Sequence, residues 1–96
     1  MIKKHDDIAG TSWYGYELYT SKDKIIKALG IQPKESNDGK TQYDWWCIYD
    51  STIVFTIYDW KELYKIKDDD LICWHIGTYT AEDGEFIKNI LIDLIK

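Results

Sequence analysis

The stretch from Tyr43 to Trp60 limits the fold of this chain more than any other part of the sequence. It is rich in aromatic and β-branched residues, contains neither glycine nor proline, and is interrupted only by the polar pair Asp50-Ser51. Residues of these types favour extended strands, and a short polar pair between two such runs is typical of a tight turn. The stretch therefore predicts a β-hairpin.

The length of the hairpin loop decides which side chains share a face of the sheet. A two-residue loop at Asp50-Ser51 pairs Tyr49 with Thr52, and side chains then alternate between two faces. In this register the core face carries Trp46, Ile48, Ile53, Phe55 and Ile57, and the second face carries Tyr43, Trp45, Cys47, Val54, Thr56 and Tyr58. Asp44 fits poorly on the core face, so a bulge or a different register near Tyr43 is an alternative. A slip of one residue would exchange the two sets.

The remainder of the chain adds a strand on each side of the hairpin and two helices. The patterns Thr20-Ser21-Lys22-Asp23 and Thr80-Ala81-Glu82-Asp83 are typical of helix starts, and apolar residues follow both at helical spacing. Alternating aromatic and apolar residues predict the two further strands. The expected elements are a loose or edge segment over 1–8, strands over 10–19 and 71–78, helices over 21–29 and from 81 to the C-terminus, and loops over 31–41 and 61–70.

These elements predict an α+β fold with the order β-α-β-β-β-α. Ninety-six residues can bury one hydrophobic core, so we expect a single domain over 1–96. An antiparallel four-stranded sheet with two helices on one face accommodates the elements and leaves the other face open. We expect that open face to carry Tyr43, Trp45, Tyr58 and His75, and to be met by solvent, a ligand or a second subunit.

Composition argues against several classes of protein. The formal charge of -5 does not attract an extended phosphate backbone, so no polymeric nucleic acid is expected as a partner. No apolar run approaches the length of a membrane span and the first residues are polar, so neither a membrane helix nor a signal peptide is expected, and the predicted location is cytoplasmic. Cys47 and Cys73 fall within predicted strands, which favours small buried hydrophobic residues over a disulfide or a metal site.

Catalytic chemistry is not indicated by the sequence. The chain has two histidines, His5 and His75, and neither has a Cys or Asp at motif spacing. We therefore predict no enzyme, no catalytic residue, no metal and no cofactor. His5 is expected to be a tail residue, whereas His75, which follows Trp74, is either a structural strand residue or a ligand contact.

Two short segments carry candidate ligand-binding residues. Gly10-Thr11-Ser12 offers hydroxyls and backbone N–H groups that can hold a phosphate, although the same turn can simply open a strand. Tyr58-Asp59-Trp60-Lys61 presents a ring, an acceptor, a ring and a cation in succession. A purine nucleotide needs stacking planes, a carboxylate for its N–H edge and a cation for its phosphate. The alternative is that Trp60 closes the sheet edge and Lys61 is solvated.

Taken together, these segments resemble a widespread family of small phage-encoded proteins. The resemblance spans nearly the whole chain and rests on Gly10-Thr11-Ser12 with Gly15-Tyr16, on Trp46 and Ile48, on Ile57-Tyr58-Asp59-Trp60-Lys61, and on Trp74-His75-Ile76-Gly77. The family includes anti-CBASS sponges, which are oligomers that bind a cyclic dinucleotide immune signal without cleaving it. This sequence departs from the family where Asp50-Ser51 replaces an Asp-Gly turn and where Trp13-Tyr14 are unusually bulky.

The resemblance implies a viral immune-evasion protein that acts in the host cytoplasm as a homo-oligomer and sequesters a cyclic oligonucleotide. It places Gly10, Thr11 and Ser12 at the ligand phosphates. It also implies a pocket shaped by Tyr58, Asp59, Trp60, Lys61, Trp74 and His75.

The alternative is a protein-directed inhibitor. The acidic runs Asp68-Asp69-Asp70 and Glu82-Asp83 give a surface that would cap a basic site on a host defence or nucleic-acid enzyme.

Overall fold

The computed structural model describes residues 1–36 and 38–96, and it shows an α+β fold with two helices and an antiparallel sheet of six strands. The elements are β1 (Ile2–Lys4), β2 (Ser12–Thr20), α1 (Lys22–Leu29), β3 (Lys34–Glu35), β4 (Tyr43–Tyr49), β5 (Ile53–Tyr58), β6 (Ile72–Thr78) and α2 (Ala81–Ile95). The strand order is β1-β4-β5-β6-β2, with β3 also pairing with β4. The predicted α+β class is confirmed, whereas the four-stranded sheet is corrected to six strands and the order β-α-β-β-β-α to β-β-α-β-β-β-β-α.

The two additional strands are short and both lie beside β4. Ile2 of β1 is opposite Tyr49, and Lys34 of β3 is opposite Asp44. They cover the edge of β4 that a four-stranded sheet would leave unpaired. Strands of two or three residues carry no periodic signal, which is why the sequence predicted an ill-defined segment and a loop there. Asn37, within that predicted loop, lies outside the described residues.

The hairpin register differs from the predicted one by one residue. Asp50 and Ser51 both have left-handed backbone angles, with φ of 53° and 62°, and the Thr52 N–H donates to the Tyr49 carbonyl at 2.9 Å. Thr52 is then an extra residue, because Tyr49 pairs with Ile53 and not with Thr52. The longer loop turns every side chain of β4 to the opposite face, while those of β5 stay as predicted.

Tyr43, Trp45 and Cys47 are consequently buried in the core, and the prediction that Tyr43 and Trp45 lie on the open face is wrong. The shift also resolves the poor fit of Asp44. Its carboxylate lies on the open face and accepts a 2.9 Å hydrogen bond from Trp46 Nε1.

The core lies between the sheet and the two helices. Trp45 and Trp74 meet edge to face at its centre, with ring centroids 5.3 Å apart. Each indole N–H is satisfied by a backbone carbonyl, which is required because unpaired donors are costly in a core: Trp74 donates to Thr20 at 3.0 Å, and Trp45 donates to Ile31 at 2.8 Å. Both helices contribute to the same cluster, so they cover the same face of the sheet; the fully or nearly fully buried members include Ile25, Phe55, Ile57, Ile76, Ile87 and Leu91.

Both helices begin where the capping patterns predicted, but only one cap is formed by its own side chain. In α2 the Thr80 hydroxyl accepts a 3.1 Å hydrogen bond from the Asp83 N–H. In α1 the Asp23 N–H donates instead to the carbonyl of Asp68 at 3.0 Å, and Lys22 Nζ lies 3.0 Å from the Asp68 carboxylate. The acidic end of the 61–70 loop is therefore attached to the start of α1. Neither helix is long and apolar enough to cross a membrane in the part of the chain that the structure describes.

The connection between β1 and β2, residues 5–11, crosses the face of the sheet that the helices leave uncovered. It must cross the sheet because β1 and β2 lie toward opposite edges. Thr11 Oγ1 lies 3.7 Å from the point where a Cβ on Gly77 would stand, which places it on the same face as Thr56 and Trp13. We call residues 5–11 the crossover segment. Since Thr56 is buried beside it, part of the expected open face is covered by the chain itself.

Candidate ligand-binding site

Four aromatic side chains surround a cavity on the part of the sheet that the helices leave uncovered. The cavity has a volume of about 560 Å³ and is lined by Trp13, Tyr58, Trp60 and His75. Tyr58 of β5 and His75 of β6 are direct cross-strand partners, Trp13 comes from β2, and Trp60 follows the end of β5. Three adjacent strands thus bring together rings that are far apart in the sequence.

His75 is the ring that the other three contact. Trp13 stacks on it with centroids 4.4 Å apart and planes at 6°, and Trp60 lies nearly parallel to it at 6.3 Å and 19°. Tyr58 meets it edge to face at 5.4 Å. The two indoles remain 46% and 41% exposed. Large aromatic surfaces left in water on a folded domain are typical of interaction sites.

A bulge in β2 brings Trp13 to this cluster. Trp13 pairs with Gly77 and Glu17 pairs with His75, so four steps along β2 match two steps along β6. Gly15 lies within the bulge at a φ of 93°, a left-handed conformation that costs glycine little. The bulge shortens the distance along the sheet between Trp13 and Glu17, and both therefore flank His75.

His75 also lies beside an acidic side chain. Its Nε2 is 3.5 Å from Glu17 Oε2, and Glu17 Oε1 accepts a 3.1 Å hydrogen bond from the Cys73 thiol. Burial lowers the pKa of His75 below its ordinary value of 6.5, and this outweighs the opposite effect of the Glu17 carboxylate. The imidazole is thus mainly neutral at pH 7, and Glu17 has no fully charged partner there.

Lys61 supplies a positive charge at the rim of the cavity. Its backbone has a left-handed φ of 54°, and its N–H donates to the Lys40 carbonyl at 2.7 Å. The ammonium lies 5.4 Å from the centre of the Trp60 ring. Trp60 and Lys61 are therefore neighbours just beyond β5, and both are exposed.

Two of the predicted pocket residues lie elsewhere. Asp59 points away from Tyr58 and Trp60 and is fully buried, where its carboxylate accepts backbone N–H groups from Gln42 and Tyr43. Trp74 is fully buried in the core on the helix-covered face. Both residues belong to the framework of the sheet and do not line the cavity.

The turn at Gly10-Thr11-Ser12 lies near the cavity but does not line it. The Thr11 N–H and hydroxyl both donate to the carbonyl of Ile8, at 3.1 and 2.8 Å. These two donors are therefore used within the crossover segment. Ser12 is exposed and begins β2, next to Trp13.

Sequence reasoning missed Trp13 and Glu17 as site residues. Trp13 was noted only as bulkier than expected, and Glu17 only as part of a strand. One signal was available: Glu17 is the only charged residue in the aromatic run from Trp13 to Tyr19. The bulge that places both residues beside His75 depends on pairing with β6, which the sequence does not reveal.

Within residues 1–36 and 38–96, no group of three or more His, Cys, Asp or Glu side chains is placed to hold a metal ion. The cavity offers stacking surfaces, while the Glu17 carboxylate lies beside His75 and the Lys61 ammonium beside Trp60, a combination that suits a flat heteroaromatic molecule carrying a negative charge. Comparison with known proteins finds no matching family model, no similar curated protein and no similar solved structure, so this geometry is the basis for a functional conclusion.

Proposed function

We propose that the chain is a non-catalytic binding protein that holds the base of a nucleotide in the aromatic cavity and sequesters a cyclic oligonucleotide signal. The observation that carries the proposal is the pair of exposed indoles beside His75, on the side of the sheet away from the helices. The cyclic form of the ligand and a role in viral immune evasion follow from the sequence resemblance.

Stacking supplies the main attraction in this proposal. A base stacked on an aromatic side chain contributes about 1–3 kcal/mol, and the contribution is similar for every base because each has a flat π face. The cavity volume of about 560 Å³ lies within the range of small-molecule sites. Trp60 is the principal stacking surface because it is exposed and carries Lys61 beside it.

The charge distribution favours a small ligand over a polymer. The ammonium of Lys61 beside Trp60 offers one positive charge to one phosphate, while the formal charge of -5 on the whole chain opposes a long phosphate backbone. A cyclic dinucleotide combines two bases with two phosphates. One cavity accommodates one of its bases, and a second copy of the chain would supply the cavity for the other.

Sequestration requires binding without turnover. The ligand is withdrawn by mass action, so its release in unaltered form is part of the proposal. The aromatic cluster fits this role, since its exposed indoles offer stacking surfaces and the contacts around His75 include no nucleophile paired with it.

Titration calorimetry with nucleoside monophosphates and a panel of cyclic di- and trinucleotides tests the proposal. Trp60→Ala should weaken binding by about 5- to 150-fold, the loss of one stacking contact. Tyr64→Ala is the matched control, because Tyr64 is an exposed aromatic residue that does not line the cavity. Chromatography of the released ligand should recover it intact. Absence of binding to every nucleotide, an equal effect of the two variants, or consumption of the ligand would overturn the proposal.

A further inference from the structure

Glu17 carries a carboxylate at the edge of the aromatic cluster whose hydrogen-bonding capacity is largely unused. One oxygen accepts from the thiol of Cys73, which is a weak donor, and the other is 3.5 Å from His75 Nε2. The side chain of Glu17 is 39% exposed. A new ligand would therefore displace only weak contacts to reach this carboxylate.

A carboxylate distinguishes the four nucleobases by the donors on their hydrogen-bonding edges. Its two oxygens can accept hydrogen bonds but cannot donate them, and they bind best to two parallel N–H donors. Guanine presents two adjacent donors, N1–H and the 2-amino group. Adenine and cytosine each place a ring-nitrogen acceptor beside their amino group, and uracil has a single N–H between two carbonyls. Guanine is thus the one base of the four that matches a carboxylate in both positions.

Glu17 lies beside one of the rings that line the cavity. It is the cross-strand partner of His75, and its Oε2 is already at the Nε2 edge of the imidazole. Trp13 covers one face of the imidazole, so a base would stack against Trp60, and if parallel to the imidazole it would turn one edge toward the same carboxylate. Enzymes that hold isolated bases combine these two contacts, stacking on the face and hydrogen bonds on the Watson–Crick edge.

We propose that Glu17 is the specificity-determining residue of the cavity and selects guanine, accepting hydrogen bonds from N1–H and the 2-amino group. This inference rests on the proposed nucleotide binding and narrows it to guanine-containing ligands. Adenine is rejected because its N1 lone pair would face the carboxylate, leaving a negative charge against an acceptor with no proton between them.

Titration of the protein with GMP, IMP and AMP tests the assignment. The wild-type chain should bind GMP about 10- to 100-fold more tightly than AMP, the range expected for hydrogen bonds to a charged acceptor. IMP, which keeps N1–H but lacks the 2-amino group, should fall between them. Glu17→Gln replaces one acceptor by a donor, and its GMP-to-AMP affinity ratio should fall below about 3.

Glu35→Gln is the matched control, because Glu35 is exposed on β3 beside β4, at the other side of the sheet from β2. It removes the same negative charge and should leave the GMP-to-AMP ratio unchanged. Equal binding of GMP and AMP by the wild-type chain, or an unchanged ratio in Glu17→Gln, would overturn the role of Glu17 while leaving nucleotide binding in place. Failure of all three nucleotides and of the cyclic panel to bind would overturn both proposals.

Discussion

Replacement of Asp59 by alanine tests whether this carboxylate serves the fold or the ligand. Asp59 is fully buried directly after β5. Its Oδ1 accepts the N–H groups of Gln42 and Tyr43, each at 2.8 Å, and its Oδ2 also lies 3.0 Å from the Gln42 nitrogen. The carboxylate thereby joins the end of β5 to the start of β4.

The cost of the replacement follows from the two N–H groups that lose their acceptor. A buried backbone donor left unpaired costs about 1–3 kcal/mol, and the loss of a charged acceptor falls toward the upper end. Gln42 is half-buried, so water can reach its N–H in part. We expect Asp59→Ala to lower the free energy of unfolding by about 3–4 kcal/mol. In Asp59→Asn, the single amide oxygen can still accept hydrogen bonds from both N–H groups. This variant should lower the free energy of unfolding by about 1–2 kcal/mol, because the acceptor is no longer charged.

Urea unfolding of the three proteins at 25 °C gives these differences directly. In thermal unfolding, Asp59→Ala should melt at least about 12 °C below the wild type, since 1 kcal/mol corresponds to about 4–8 °C in a domain of this size. Nucleotide affinity of the folded fraction should be unaffected. The reasoning is refuted if Asp59→Ala unfolds within about 0.5 kcal/mol of the wild type, or if it abolishes ligand binding while its stability is unchanged.

Three further outcomes follow from the packing and the titrating groups. Gly84→Ala should destabilise the protein by about 1–2 kcal/mol, although alanine normally stabilises a helix interior, because its Cβ would lie 2.7 Å from Tyr16 Cδ2. In a Tyr16→Ala background, urea unfolding should show a smaller loss, because only the 3.2 Å approach to Thr78 Oγ1 remains. Since burial lowers the pKa of His75 in the folded state, the unfolded chain takes up its proton more readily. Stability should therefore fall as the pH drops from above 6.5 to below it, and His75→Gln should flatten the dependence of the melting temperature between about pH 7.5 and 5.5. Burial and the Glu17 carboxylate raise the pKa of the Cys73 thiol to about 11. A disulfide reagent should therefore modify Cys73 slowly at about pH 8 and faster in Glu17→Gln. An unchanged rate in this variant would mean that the carboxylate does not control the reactivity of the thiol.

Local patterns predicted the elements well because their causes lie within a few residues. Both helix starts follow polar residues that are typical of N-caps and precede apolar residues at helical spacing, although only Thr80 caps its helix with its own side chain. The hairpin follows from its aromatic and β-branched composition. Of the candidate residues proposed from the sequence, Tyr58, Trp60 and His75 lie around one cavity, because Tyr58 and His75 are cross-strand partners and Trp60 follows the end of β5.

Long-range pairing decided the remaining features. The one extra residue at Thr52 turned β4 over, which sent Tyr43 and Trp45 into the core; in the sequence, the poor fit of Asp44 on the predicted core face was the local sign of this. Asp59 was predicted to shape the pocket, but it is held away from the cavity by the backbone N–H groups of Gln42 and Tyr43, 17 and 16 residues earlier in the chain.

The amino-acid sequence alone determined that this chain forms a helix-covered antiparallel sheet with aromatic residues in surplus. Only the folded chain decided which rings fill the core and which surround His75, and it added Trp13 and Glu17 to the cluster through a bulge. The physical reason is that side chains of a strand alternate with a period of two residues. A shift of one residue exchanges the two faces at little local cost, so packing against the helices and neighbouring strands determines which face is buried.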